Sequence, residues 1–259
     1  MTRILVTNDD GVHSDGIHVL AAALGALGEV TVVAPHMEAS AIGHALTLRR
    51  PLRMAQLRER VYEVDGTPTD CVNIALTQIY TAASAPDLVV SGINKGYNLG
   101  DDVTYSGTVS GALEGALLGI PSIAVSLARA SGPYDFGPAA AAAATIASMA
   151  LRGEMIAGRT FLNINVPAGK PKGFRLTVQA KRNHITIVDP RIDPRGQAYY
   201  WIEEGENDWE PHDRSDYQAV RDGYVSVTPL QPDMTDHQAL AKLESLAIEK
   251  MPSDSSVPR

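Results

Sequence analysis

The first part of the chain alternates between strand and helix patterns, and this alternation constrains the fold more than any other feature. Short runs rich in β-branched residues, typical of buried parallel strands, are separated by longer stretches with apolar residues at helical spacing. The predicted strands are 4–7, 30–34, 61–64, 88–91, 122–126 and 161–166, and the predicted helices are 17–27, one that starts at 67, 109–118 and 139–151. This β-α-β order predicts an α/β protein with three layers, α/β/α, in which helices cover both faces of a mostly parallel, Rossmann-like sheet.

The pattern changes after residue 172. The stretch 173–232 contains strand-like segments and few helix signals, so we interpret it as a β-rich extension that serves as an oligomerisation arm on an α/β core at 1–172. Residues 233–250 are predicted to form a C-terminal helix, and residues 251–259 a frayed tail.

Composition narrows the class of protein. The formal net charge is −8, a poor match for a protein that grips long nucleic acids. The single cysteine, Cys71, excludes an intramolecular disulfide, and its place on an apolar helix face indicates a buried structural thiol. We find no secretory signal pattern and no run of 18 or more apolar residues. The expectation is a cytoplasmic protein without a membrane segment.

Polar residues follow the first predicted strand, at the point where open α/β sheets bind their ligands. The sequence there is Asn8-Asp9-Asp10-Gly11. Two adjacent carboxylates repel each other, and a hard divalent cation would relieve that repulsion. Taken alone, the same residues fit an ordinary turn or a helix N-cap equally well.

Two later loops carry further oxygen donors. Ser40 lies in the polar stretch after the second strand, and by itself it reads as a solvated loop serine. Asn94 and Asn98 belong to a segment rich in Gly, Asn and Asp that follows the strand ending at Ser91. The length and the two asparagines of that segment favour a binding loop over a merely flexible one.

A helix begins with small hydroxyl residues at Ser106-Gly107-Thr108. Backbone N–H groups at a helix start, next to hydroxyls and a glycine, form a cradle for phosphate. An isolated Ser-Gly-Thr is better read as a plain N-cap. Together with the carboxylates, the amide and the hydroxyl on the same sheet edge, however, it predicts a metal beside a phosphate pocket. Oxygen-only ligands select Mg²⁺, Mn²⁺ or Ca²⁺ over zinc, and the combination indicates metal-assisted phosphoryl hydrolysis.

Sequence motifs that would indicate a different chemistry are incomplete or missing. Gly11 and Gly16 have the glycine spacing of a P-loop, but Ile17 and His18 stand where Lys and Ser or Thr are required. The dinucleotide fingerprint G-x-G-x-x-G, the zinc motif H-E-x-x-H and the elbow G-x-S-x-G are all missing from the sequence. His44 is close to Ser40 in sequence, and a surface position is favoured for it over a role in the site.

An ordered series of segments resembles one family. These segments are ILVTNDDG, APHMEASAIGHALTL, VDGTPTDCVNIAL, DLVVSGINKGYNLGDDVTYSGTVSGALEGALLGIPSIAVS, LNINVP and DYQAVRDGYVSVTPL. Together they are similar to the SurE survival protein family, whose members are nucleoside 5′/3′-monophosphate phosphatases. The resemblance covers nearly the whole chain.

The resemblance implies roles for individual residues. It implies ligation of one divalent metal ion, Mg²⁺ or Mn²⁺ with Ca²⁺ as a substitute in a crystal, by four oxygen donors: Asp9, Asp10, Ser40 and Asn94. It implies that the phosphate is held by Ser106, Gly107 and Thr108, and that Asn98 lies in the site near it. It also implies a homodimer or homotetramer formed through a C-terminal arm.

Several alternatives remain open at this point. Asp9 or Asp10 would orient an attacking water or accept its proton, or a carboxylate would itself be the nucleophile. A nucleotide-binding protein without hydrolytic activity is the second functional hypothesis, and a Rossmann-type oxidoreductase is a weaker third. The sequence does not determine the base preference or the preference between 5′- and 3′-monophosphates.

Overall fold

The computed structural model describes residues 1–81, 83–129, 131–154, 158–183, 186–204 and 208–245. The strands in these ranges are β1 Arg3–Thr7, β2 Glu29–Pro35, β3 Met54–Arg58, β4 Val61–Val64, β5 Leu88–Lys95, β6 Ser122–Leu127, β7 Phe161–Val166, β8 Phe174–Leu176, β9 Arg182–Asn183, β10 Thr186–Ile192, β11 Ala198–Glu204, β12 Asp208–Trp209 and β13 Val225–Leu230. The helices are α1 Asp15–Leu24, α2 Pro68–Ile74, α3 Gly107–Leu117, α4 Gly137–Leu151, α5 Asp216–Arg221 and α6 His237–Ser245. A π-helical turn, Ala75–Ile79, extends α2, and a 3₁₀ turn, Gly100–Thr104, precedes α3.

Nine strands form one sheet in the order β3-β4-β2-β1-β5-β6-β7-β13-β8. The pairings from β4 through β2, β1, β5 and β6 to β7 are all parallel. β3 runs antiparallel to β4, and β13 runs antiparallel to β7. The predicted α/β fold with a mostly parallel sheet is therefore confirmed. The chain adds strands on one side of β1 and then crosses to β5 on the other, so the switch point of the sheet lies between β1 and β5.

Helices cover both faces of the sheet. α1 and α4 contact each other on one face, and α2 and α3 contact each other on the opposite face. The alanine-rich α4 packs closely because alanine fills little space. The helix predicted to start at residue 67 is α2, where Thr67 and Asp70 form a capping box. None of the helices in the described ranges is long and apolar enough to span a bilayer.

The stretch 173–232 contributes to two different parts of the molecule. β8 and β13 lie within it, yet both belong to the main sheet, where β13 pairs with β7 and β8 pairs with β13. The ribbons β10–β11 and β9–β12 are separate two-stranded sheets. β3 and the short helix α5 were not predicted from the sequence. The predicted C-terminal helix is present as α6, whereas the predicted helix end beyond residue 245 and the tail 251–259 lie outside the described residues.

Candidate functional site

Hydrogen bonds join four chain segments at the carboxyl ends of β1, β2 and β5. The Asp9 carbonyl accepts from the Ala39 N–H at 2.8 Å, which links the end of β1 to the loop that carries Ser40. Asp10 Oδ2 accepts from the Lys95 N–H at 3.3 Å, next to Asn94. Thr108 Oγ1 donates to Asp9 Oδ1, which links α3 to β1. The structure thus brings the predicted metal-binding segments and the predicted phosphate-binding segment to one edge of the sheet.

Asp9 lies at the centre of this arrangement and is almost fully buried. Burial raises the pKa of Asp9 from 3.8 to about 6; the hydrogen bond from Thr108 opposes this shift, and the charge of Asp10 adds to it. Gly107 makes this packing feasible, because a Cβ atom there would lie 2.8 Å from Asp9 Cβ and 2.9 Å from Asp9 Oδ2. A buried carboxylate beside a second carboxylate is an arrangement that a bound cation stabilises.

Asp10 is half-buried, and burial raises its pKa, while the nearby Lys95 side chain and the Lys95 N–H oppose the shift. The charge of Glu38 acts in the same direction as burial. Glu38 and Lys95 are therefore electrostatic neighbours of the acid pair that sequence reasoning missed. Their positions in polar loop segments give no sequence signal that separates them from other loop charges.

The two remaining predicted ligands differ in their surroundings. Asn94 Nδ2 donates to the Gly96 carbonyl at 3.1 Å, which leaves its Oδ1 as the side-chain acceptor. Ser40 is exposed, and its hydroxyl donates to Glu38 Oε1 at 2.6 Å. Thus Ser40 lies in the loop tied to Asp9, but its hydroxyl has another partner.

The donors at this edge fit a hard cation. They are two carboxylates, an amide oxygen and a hydroxyl, which is chemistry suited to Mg²⁺ or Mn²⁺. Asn8 Oδ1, at the same strand end, is buried and has no hydrogen-bond partner within the described residues. No group of three or more His, Cys, Asp or Glu side chains in those residues could hold a metal ion, so any ion here would depend on neutral oxygen ligands as well.

The start of α3 has the geometry of an anion site. Ser106 is the N-cap, and its hydroxyl accepts from the Val109 N–H at 3.0 Å. The N-cap interpretation of Ser106 is therefore correct for its local role. The N–H groups of Gly107 and Thr108 belong to the first turn, where a helix supplies no internal acceptors and carries positive partial charge. An anion at this point would lie next to Asp9.

Asn98 is buried and contacts β6 and β7. Its side-chain Nδ2 donates to Ser126 Oγ at 2.7 Å, and its N–H donates to Asn165 Oδ1 at 2.8 Å. Its carbonyl accepts from Asn163 Nδ2 and Asn165 Nδ2. These contacts anchor the loop after β5, so the structure shows Asn98 as a support of that loop.

Cys71 and His44 lie in different surroundings. Cys71 is fully buried, as predicted, and burial raises the pKa of its thiol well above the usual range. His44 is exposed, as predicted, but its ring is anchored, because its Nε2 is 2.7 Å from Glu114 Oε2 on α3.

This fold and site define a class: an α/β/α protein whose paired carboxylates and helix N-terminus meet at the switch point of a parallel sheet. The family model described as Survival protein SurE matches residues 4–186. The chain belongs to the SurE family.

Proteins similar to this chain match it over almost its full length. The chain is 50% identical to the 5′-nucleotidase SurE of Syntrophotalea carbinolica over 239 residues, which covers 91% of this chain and 94% of that protein. It is 49% identical to the 5′-nucleotidase SurE of Geobacter sulfurreducens over 247 residues, 94% of this chain and 93% of that protein. The crystal structure of the SurE protein from Aquifex aeolicus matches with a TM-score of 0.83 and 44% identity, and covers 95% of this chain and 99% of that one.

Proposed function

We propose that this protein is a phosphomonoesterase that hydrolyses nucleoside 5′-monophosphates, and also 3′-monophosphates, to nucleoside and phosphate with the help of one divalent metal ion. The observation that carries the proposal is the contact between the buried Asp9 carboxylate and the first turn of α3. It pairs a site for a cation with a site for an anion. The relatives named 5′-nucleotidase supply the substrate class.

The metal ion, Mg²⁺ or Mn²⁺, would be held by Asp9, Asp10, Ser40 and Asn94. When bound, it supplies charge neutralisation at the phosphoryl oxygens and a fixed place for the nucleophile. The chain itself contributes the remaining steps. The N–H groups of Gly107 and Thr108 bind the phosphate, and Ser106 holds that turn in place through its cap. Asn98 supports the loop that follows β5, the strand that carries Asn94.

Two roles are open for the acid pair. Asp9 or Asp10 accepts the proton of the attacking water, or one of them attacks phosphorus and forms an aspartyl phosphate. The stereochemistry at phosphorus, followed with a chiral phosphorothioate substrate in isotopically labelled water, separates the two. Net inversion supports one displacement by water, whereas net retention supports the two displacements of the covalent route.

The test of function is phosphate release from a panel of nucleoside 5′- and 3′-monophosphates. The protein is treated with EDTA and then supplied with Mg²⁺ or Mn²⁺, and Asp9→Asn is the matched inactive variant. We expect release that stops with chelator, returns with metal and is nearly abolished in Asp9→Asn. Nucleotide binding without release under any metal would instead favour the non-hydrolytic binding protein.

We also propose that the protein self-associates as a homodimer or homotetramer through the β10–β11 ribbon. The ribbon exposes several large apolar side chains, among them Ile192, Tyr200, Trp201 and Ile202. Exposed apolar patches of this kind mark association surfaces. Light scattering of wild type and of the double variant Trp201→Ser, Ile202→Ser tests this, and an unchanged assembly would argue against the ribbon. The cytoplasmic location stays a prediction.

A further inference from the structure

The segment between β2 and β3, residues 36–53, carries the proposed metal ligand Ser40; we call it the β2–β3 loop. Much of it is exposed to solvent, and Ala41, directly after Ser40, has a φ of 53°. A residue other than glycine keeps such a left-handed conformation only when surrounding contacts impose it. The contacts of this loop therefore decide where Ser40 is placed.

One contact of the loop reaches the interior. His44 Nε2 lies 2.7 Å from Glu114 Oε2, and Glu114 belongs to α3 and is 6% exposed. The other carboxylate oxygen, Oε1, accepts from Asn73 Nδ2 of α2 at 2.6 Å. Both oxygens of this buried carboxylate therefore have a partner, one from the loop and one from a helix.

Glu114 is held as a carboxylate. Burial acts to raise its pKa, but the hydrogen bonds from His44 and Asn73 outweigh burial, so the pKa of Glu114 lies below its usual value. An ionised carboxylate only accepts hydrogen bonds, so His44 donates through Nε2. A charge-assisted hydrogen bond of this kind is stronger than one between neutral groups.

Hydrogen bonds to the backbone on both sides of His44 also hold the loop in place. The Gly43 N–H donates to the Tyr105 carbonyl at 2.9 Å, and Thr67 Oγ1 donates to the Ala45 carbonyl at 2.7 Å. The His44 side chain contacts the body of α3 through Glu114. The same helix begins with the proposed phosphate-binding residues, so His44 ties the metal-binding loop to the phosphate-binding element.

We infer that His44, held by Glu114, is a positioning residue that keeps the β2–β3 loop in place for Ser40 to bind the metal ion. This inference rests on the proposed function. Ser40 lies in a loop tied to Asp9 through Ala39, and its hydroxyl donates to Glu38, so ligation by Ser40 requires its side chain to turn away from Glu38 while the loop backbone stays in place. Loss of the His44 contact releases the loop from α3 and weakens that ligand.

The test compares His44→Ala with His44→Gln, whose amide can still donate to Glu114, and with Leu48→Ala, an exposed position of the same loop. The full-length protein is titrated with Mn²⁺ alone, and bound metal is followed by electron paramagnetic resonance. The kcat and KM for a nucleoside monophosphate are then measured at saturating Mn²⁺, with circular dichroism to verify folding.

We expect His44→Ala to raise the Kd for Mn²⁺ by about tenfold or more, the size of effect seen for residues that orient metal ligands. We expect His44→Gln to recover most of the affinity, Leu48→Ala to match wild type, and KM at saturating metal to change little because the start of α3 is intact. A merely structural role would lower the thermal midpoint without changing the Kd of the folded protein.

The outcomes separate this inference from the function it rests on. A wild-type protein that binds Mn²⁺ and releases phosphate, beside a His44→Ala variant with the same Mn²⁺ Kd, overturns the positioning role alone. A wild-type protein that neither binds Mn²⁺ nor hydrolyses nucleotides overturns the proposed function and this inference with it. If His44→Ala does not fold, the comparison uses His44→Phe, which keeps a ring but has no hydrogen-bond donor, and a folded His44→Phe protein with the Mn²⁺ Kd of wild type would overturn the role.

Discussion

Replacing Gly107 by alanine is the sharpest perturbation that the site offers. A Cβ atom at this position would lie 2.8 Å from Asp9 Cβ and 2.9 Å from Asp9 Oδ2. To reach an ordinary contact of 3.4 Å, Asp9 and the start of α3 must move apart by about 0.6 Å. Both are rigid, since Asp9 is buried directly beyond the strand β1 and Gly107 is the first residue of a packed helix.

The expected effect on activity is larger than the effect on stability. Overpacking costs about 1–3 kcal/mol, and the higher helix propensity of alanine returns up to about 1 kcal/mol. A misplacement of about 1 Å in an active site costs on the order of a hundredfold in rate, so a shift of roughly half that size predicts a loss of at least about tenfold in kcat/KM. The Kd for Mn²⁺ should rise as well, because Asp9 is displaced.

The assay is metal-dependent phosphate release from a nucleoside monophosphate, with thermal unfolding measured in parallel. Gly137→Ala is the matched control, since Gly137 is also the first residue of a helix and its added Cβ would meet only Asp135 Oδ1, at 3.1 Å. A folded Gly107→Ala protein that keeps kcat/KM within about twofold of wild type would refute the argument from close approach.

Three further predictions follow from buried groups. Thr108→Val should destabilise the metal-free protein by about 1.5–3 kcal/mol because Asp9 loses a donor, whereas Thr108→Ser should not; equal denaturation midpoints for the two variants would contradict this. Glu114 has a lowered pKa, so its contribution to stability is complete above its usual value of 4.5 and is lost as the pH falls through its folded-state pKa. Urea unfolding at stepped pH should show this acid-side loss in wild type and a weaker one in Glu114→Gln, and identical slopes would count against it. The Cys71 thiol should react with a thiol reagent only as fast as the protein unfolds, because it is buried and its pKa is raised; rapid labelling of the native protein would disprove this.

Local patterns in the sequence were sufficient to predict most of the elements that form the core. The buried strands β1, β5, β6 and β7 appear as short apolar runs, and the start of α2 appears as a Thr-Pro-x-Asp capping pattern, because both signals are carried by neighbouring residues. The rule that ligands bind at the carboxyl ends of parallel strands then predicts that Asp9, Asp10 and Asn94 lie close together.

The pairing of β13 with β7 could not be predicted from local sequence patterns. The run 224–228 has the pattern of a strand, but nothing in it states that β13 joins β7 and runs antiparallel to it. A strand pattern reports which face is buried, whereas the partner and the direction depend on distant segments that compete for the same sheet edge. For this reason the stretch 173–232 looked like one extension, although two of its strands complete the main sheet.

By itself, the sequence determined the fold class, the edge of the sheet where ligands gather and the oxygen chemistry of the acid pair, since each depends on residue types at short spacing. Only the tertiary structure decided the contacts that shape the site. Thr108 meets Asp9 across 99 residues, and His44 meets Glu114 across 70 residues. Such pairs leave no periodic trace along the chain, because they arise when packed helices and strand ends bring remote side chains within hydrogen-bond distance. Burial then raises the pKa of Asp9, and hydrogen bonds lower the pKa of Glu114.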